Sequence, residues 1–287
     1  MRYSFFICLC CFIQHSLNAQ LPETDLWLAE LDVKLPGKIK KAVNITNRPG
    51  YDNQPSFSTN GKLIYFTSIH EDKQADVYAY SVGSKKIVQI TKTKESEYSP
   101  NETTFGNYLS VLHVALDSIQ TVKLLDIKTF TIANSSFSSF DSAGYYHFLN
   151  ADTILYYKLT EPHSLRYFVN STKEDGFLAE HPCRTFKTVN RHSFMFGVKD
   201  SLSTRYFLYD VRLQKANLYA SINSVNEDMI WHPVHGLLVS HQASILRYDV
   251  AQQKWTVLYD LAAFGIKKIT RFCFDQKNKY LVIVNNL

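Results

Sequence analysis

Four acids each stand just ahead of a short apolar stretch: Asp52, Glu97, Glu227 and Asp228. Two of them precede a proline by the same three-residue step, Asp52 before Pro55 and Glu97 before Pro100. Carboxylates gathered in one pocket could serve as general acid and base, or as oxygen ligands for calcium. Left at separate turns, short acids instead accept N–H bonds from their own loop. Around these acids lie Tyr51, Asn53, Tyr98, Tyr146, His147, His181, Trp231 and Arg271. A few polar groups that set orientation, on an aromatic rim that supplies buried area, are what a ligand or peptide pocket requires. His232-Pro233-Val234-His235 brings two imidazoles together. The intervening proline denies the helical i, i+4 geometry of a zinc pair, so a turn role is expected for it. No Gly-x-Ser-x-Gly elbow, phosphate-cradling glycine loop or dinucleotide fingerprint occurs, and no cofactor is expected.

What must position these groups is legible in the stretch from Gly50 to Thr91. Ser56-Phe57-Ser58 alternates polar and apolar after Pro55, which is tolerated at a strand start. Asn60-Gly61 suits a tight hairpin turn. Leu63 to Thr67 is apolar on both faces, as a strand packed on two sides must be. Asp76 to Val82 and Ile87 to Thr91 supply a third and fourth strand. The expected unit is a four-stranded antiparallel meander.

The unit recurs. Third strands align on Val77, Val122, Leu165, Tyr206 and Ile245, in steps of 45, 43, 41 and 39 residues. First hairpin turns fall near Gly61, Gly106, Asp152, Asn190, Gly236 and Asn278. Six turns against five third strands leave the last unit half complete at Leu287. Its missing half stands at the other end: Asp25 to Leu31 reads like Asp76 to Val82, and Ala42 to Thr46 like Ile87 to Thr91. The expected fold is all-β, a six-bladed β-propeller over residues 20–287 whose N-terminal strands, about 22–46, complete the last blade. Radial closure protects strand edges. In such a ring, the segments leading into each innermost strand gather at one mouth of the central channel. That mouth would hold Tyr51, Asp52, Asn53, Glu97, Tyr98, Tyr146, His147, His181, Glu227, Asp228, Trp231 and Arg271.

Ile45-Thr46, Tyr51 to Ser58 with its Asp-x-x-Pro-x-Phe-Ser core, Gly61-Lys62, Phe66-Thr67-Ser68 and Asp76-Val77-Tyr78 together resemble the TolB-type, WD40-like propeller repeat. The match is strong in the first unit. In the second it keeps Ile90-Thr91, Glu97-Tyr98-Ser99-Pro100 and Gly106, and later units retain strand pattern and spacing only. The resemblance implies a stand-alone, secreted bacterial propeller without the separate N-terminal domain of TolB.

The composition agrees with a folded β-protein. Of 287 residues, 45% are hydrophobic and 14% aromatic, which excludes a disordered or acidic solvating chain. The net charge of +5 is scattered in ones and twos, so no nucleic-acid-binding stripe forms. Residues 1–19 read as a secretory signal peptide: Arg2, an apolar run from Phe5 to Ile13, then polar residues ending at Ala19. The apolar run is far shorter than the ~20 residues of a spanning helix, so a secreted or periplasmic protein without a membrane span is expected. Phe6-Ile7 before Cys8 lacks the small residue that lipoprotein processing wants. Removal of the signal leaves Cys183 and Cys273, in non-adjacent units, as two buried thiols without a bridge. The functional expectation is a monomeric, non-enzymatic binding or protein-interaction module whose channel mouth takes a protein, peptide or glycan. The alternative is a propeller hydrolase or lyase using the mouth carboxylates, with or without a metal. A purely structural spacer is the third reading.

Overall fold

The computed structural model describes residues 21–70, 73–133, 137 and 142–287. The segment read as a signal peptide lies outside them. The described residues form antiparallel meanders in chain order. The first sheet comprises Tyr51–Phe57, Leu63–Ile69, Ala75–Ser81 and Ile87–Gln89. The second has Ser96–Glu102, Tyr108–Val114 and Gln120–Asp126, with isolated bridges Val122 to Phe137 and Leu125 to Ile132 along its outer edge. The third runs from Ala143–Phe148 out to Glu174–Glu180, the fourth from Pro182–Asn190 to Lys215–Ile222, and the fifth from Met229–His232 to Lys254–Asp260. In the sixth, Ile269–Phe274 and Tyr280–Asn286 are joined by Thr24–Leu31 and Ile39–Asn44 from the other end of the chain. The N-terminal strand pairs with the C-terminal one from Thr24 opposite Asn286 to Glu30 opposite Tyr280. A single parallel pair, Thr24 with Tyr51, links the sixth sheet to the first.

Strand periodicity explains why these sheets assemble. Side chains alternate between the two faces of a strand, so a strand apolar throughout feeds two cores at once. Ile64 and Phe66 pack with Leu26, Leu28, Val282 and Val284 of the sixth sheet, whereas Tyr65 between them packs with Leu109 and Val111 of the second. Phe194 and Phe196 meet Leu155 and Tyr157 of the third sheet, while Met195 meets Met229, Leu237 and Val239 of the fifth. Leu281 and Ile283 face Leu238 and Ile245 on the other side of the sixth sheet. Leu112 and Val122 meet Ile154, Tyr156 and Phe168 between the second and third. Each sheet is thus held by one hydrophobic cluster against the sheet before it and another against the sheet after it. Burying each such side chain contributes roughly 1.5–3 kcal/mol.

The repeat spacing read from the sequence lands on these elements. Val77, Val122, Leu165, Tyr206 and Ile245 all sit in third strands, and the six turns fall between first and second strands. One detail differs. Pro55 does not open its strand, which begins at Tyr51, and Asp52 and Asn53 already pair with Ser68 and Thr67. Pro55 instead occupies a bulge between Asn53 and Ser56, where its missing N–H costs no ladder bond, and Gln54 ahead of it takes φ +57°. The second sheet repeats the device: Ser99 has φ +52° and the register slips between Tyr98 and Asn101, around Pro100. These bulges bend the innermost strands where they line the molecule's central cavity. Cys183 and Cys273 are both free thiols, the first buried and the second half-buried.

Candidate functional site

A cavity of about 250 Å³ is lined by the innermost strands of all six sheets. The first sheet contributes Gln54 to Ser58, the second Ser99 to Asn101, the third Tyr145 and Tyr146, the fourth Arg184 to Lys187, the fifth Asp228 to Ile230, and the sixth Arg271 to Phe274 with Gln276. No sheet could form it alone.

Of the residues expected at the channel mouth, Tyr146, Asp228 and Arg271 line this cavity. Tyr146 donates to the Ser99 carbonyl at 2.9 Å, tying the third sheet to the second. Asp228 is buried. Its Oδ2 accepts the Phe272 N–H at 3.2 Å and its Oδ1 lies 4.0 Å from Arg184 Nε. Arg271 places its guanidinium 5.1 Å from the centre of the Tyr145 ring, a cation–π arrangement. Tyr51 is close to the same group: burial raises its phenol pKa and the charge of Arg271 opposes that rise.

The other expected residues sit elsewhere. Asp52 is fully buried, and its Oδ1 accepts from Arg48 and from Ser68, each at 2.6 Å. Glu97, also buried, accepts from the Thr93 hydroxyl at 2.7 Å. Desolvation raises the pKa of both carboxyls. Glu227 is ion-paired to Lys199. Each of the four acids is therefore engaged by a different neighbour. Asn53 Oδ1 accepts the Gln54 N–H at 2.8 Å, and Tyr98 packs on the cluster between the second and third sheets. His147 accepts the Thr188 N–H at Nε2, 3.1 Å, and burial with nearby Lys187 pushes its pKa down to about 3. His181 is an exposed left-handed residue, φ +50°, whose backbone joins the third sheet to the fourth. Trp231 is edge-on to Tyr219 within the cluster between the fourth and fifth sheets. In the His232/His235 pair, His232 Nδ1 caps the Val234 and His235 N–H groups and Nε2 meets Asn278 at 2.8 Å, a turn role. No group of three or more His, Cys, Asp or Glu among the described residues is placed to hold a metal ion.

Arg184, Lys187 and Tyr145 lay outside the sequence reading. That reading took residues leading into each innermost strand and placed no side chain of Pro182–Asn190, where Arg184 and Lys187 stand, at the channel mouth. The signal that the sequence carries is two cations, Arg184 and Lys187, three residues apart on one innermost strand. Burial lowers the pKa of both, and Arg271 lowers that of Arg184 further. Cys273 also lines the cavity, its thiol pushed up to about 12 by burial.

The sequence matches no protein-family model and no curated protein. Solved structures do resemble the chain. A TolB protein from Agrobacterium tumefaciens superposes with a TM-score of 0.66 at 9% identity, covering 93% of this chain and 99% of that one. An oligogalacturonate lyase solved with manganese gives 0.58 at 8% identity, covering 86% and 80%. A chain of the nidogen/laminin complex gives 0.58 at 11% identity, covering 91% and 98%. No helix among the described residues is long and apolar enough to cross a membrane. Six radially packed meanders, the repeat near residue 50 and these superpositions lead to one assignment: the chain has the fold of a TolB-like β-propeller.

Proposed function

We propose that this chain is a secreted binding module that takes a ligand into the central cavity and performs no chemistry on it. The observation that supports this reading most is the cavity itself, to which all six innermost strands contribute polar and aromatic groups. Its volume lies below the range of about 300–1,000 Å³ for sites that enclose drug-sized molecules. It therefore suits a small molecule, or one end of a peptide or glycan. The four candidate catalytic acids have separate partners, which favours binding over an acid/base pair. The likeness to a chain of the nidogen/laminin complex fits an interaction role, and the likeness to a manganese-bound lyase keeps the catalytic alternative in view.

The test is calorimetric titration with peptides, oligosaccharides and small metabolites, repeated on Asn101→Trp. Asn101 is exposed, lines the cavity and has no side-chain hydrogen bond among the described residues, so an indole there fills the cavity and leaves the core untouched. Binding that the variant abolishes supports the proposal. A ligand that is turned over, or one that binds the variant equally well, overturns it. Extracytoplasmic placement has its own check: the exported protein should begin at Gln20, and an intact Met1 terminus would contradict the signal-peptide reading.

A further inference from the structure

The cavity contains a charge imbalance that no neighbouring group corrects. Three cations line it, Arg184, Lys187 and Arg271, and Asp228 is the one acid among its lining residues. Two positive charges are left over. Asp228 does not absorb them: Oδ2 is taken by the Phe272 N–H, and Oδ1 stands 4.0 Å from Arg184 Nε, beyond hydrogen-bonding distance. Asp228 Oδ1 and Arg184 Nε are both buried without a hydrogen-bond partner. Arg184 otherwise donates a single N–H, from Nη2, to the Thr270 carbonyl, a neutral group, which leaves the rest of its fork unspent. Arg271 rests over the Tyr145 ring, and Lys187 has neither an ion pair nor a hydrogen bond among the described residues.

Like charges crowded around one cavity repel, and the partial loss of hydration at these half-buried side chains raises the cost. Such a cluster is stable when an anion completes it. Two guanidinium groups offer planar forks that match a carboxylate or a phosphate, and the lysine adds a point charge. Neutral groups complete the lining. Ser99 Oγ is buried and unpartnered, and Gln54 and Asn101 also face the cavity. The small volume excludes a bulky ligand and the residual charge sets its valence.

Resting on the reading of the cavity as a binding site, we propose that its ligand is a small dianion, with two negative charges carried on oxygen, held by Arg184, Lys187 and Arg271. A phosphate group and a dicarboxylate share this chemistry.

The proposal is tested with the full chain in a low-salt zwitterionic buffer, by calorimetry and thermal melting. The probes are inorganic phosphate, sulfate and succinate, with acetate as the monoanion control. Phosphate and sulfate stabilise many proteins by exclusion from their surfaces, so each shift must be read against Lys187→Met and Arg271→Gln. The expected result is saturable binding of at least one dianion, weaker by about tenfold or more for acetate and for each variant, the loss anticipated for one charge-assisted contact. Preference for phosphate and sulfate over succinate, or the reverse, separates the two ligand sources. Without any anion, Lys187→Met should melt above the wild type because it removes repulsion, an outcome a purely structural lysine would not give. Equal responses of wild type and both variants, or no binding of any dianion, overturn the proposal. If a neutral peptide or oligosaccharide binds and Asn101→Trp abolishes that binding while dianions neither bind nor compete, the dianion inference falls alone. If nothing binds the cavity, the binding-module reading falls with it.

Discussion

Leu26, near the start of the described chain, stands opposite Val284, near its end, in a continuous antiparallel ladder, and both side chains enter the cluster that joins the sixth sheet to the first. The two ends of the sequence are thereby neighbours in one sheet, and two of the six interfaces depend on the strand Thr24–Leu31.

Deleting residues 20–33 should therefore abolish the native cooperative melt, because it exposes an edge of Tyr280–Asn286 and empties part of two clusters. Circular dichroism melting of the shortened chain is the check. A transition like that of the parent would show that the N-terminal strand contributes nothing to the fold. The milder Leu26→Ala should cost about 2–5 kcal/mol in denaturant unfolding, as for other fully buried leucines.

His147 gives a pH signature. Its folded pKa is pushed down to about 3, while the ordinary value is 6.5. As pH falls, the unfolded chain takes up the proton first, so the stability tied to the neutral ring is complete above about 6.5 and is lost progressively toward 3. Replacing His147 with Gln should flatten that part of the profile. Denaturant midpoints of wild type and variant are expected to differ most near neutrality and to converge on acidification. A constant difference would place the ring in solvent.

Glu97 has the opposite sign. Desolvation holds its folded pKa above the ordinary 4.5, so stability tied to the protonated carboxyl is present below about 4.5 and is lost as pH rises through the raised folded value. Glu97→Gln retains an oxygen to accept from Thr93 and carries no charge to bury. It should melt with the wild type near pH 4 and above it near about pH 8. A variant that melts lower at both values would mean that the ionised carboxylate is what the structure needs.

The two thiols supply a chemical test. Cys183 and Cys273 have pKa values raised to about 12 by burial, so little thiolate exists at neutral pH. Both should resist alkylation in the native protein and react fully once it is unfolded, as read by peptide mass spectrometry. Rapid native labelling of Cys273 would show that the cavity opens widely to solvent.

The fold was largely written in local chemistry. Asn60-Gly61 and the five later turns mark hairpins because backbone conformation at a turn depends on the residues in it, and strands such as Leu63 to Ile69 are apolar on both faces because each serves two cores. The likeness of Asp25–Leu31 to Asp76–Val82 even placed the first strand in the last sheet. Which side chains share the cavity was decided otherwise. Asp52 and Glu97 look like Asp228 in sequence, yet the first two are sealed among Arg48, Ser68 and Thr93 while Asp228 faces the cavity. The bulges around Pro55 and Pro100 shift the register of the innermost strands by amounts that no local pattern states. Arg184 and Arg271 come from different sheets and meet only after six units have packed. Spacing along the chain sets what each unit is; the closeness of charges from separate units is a property of their assembly.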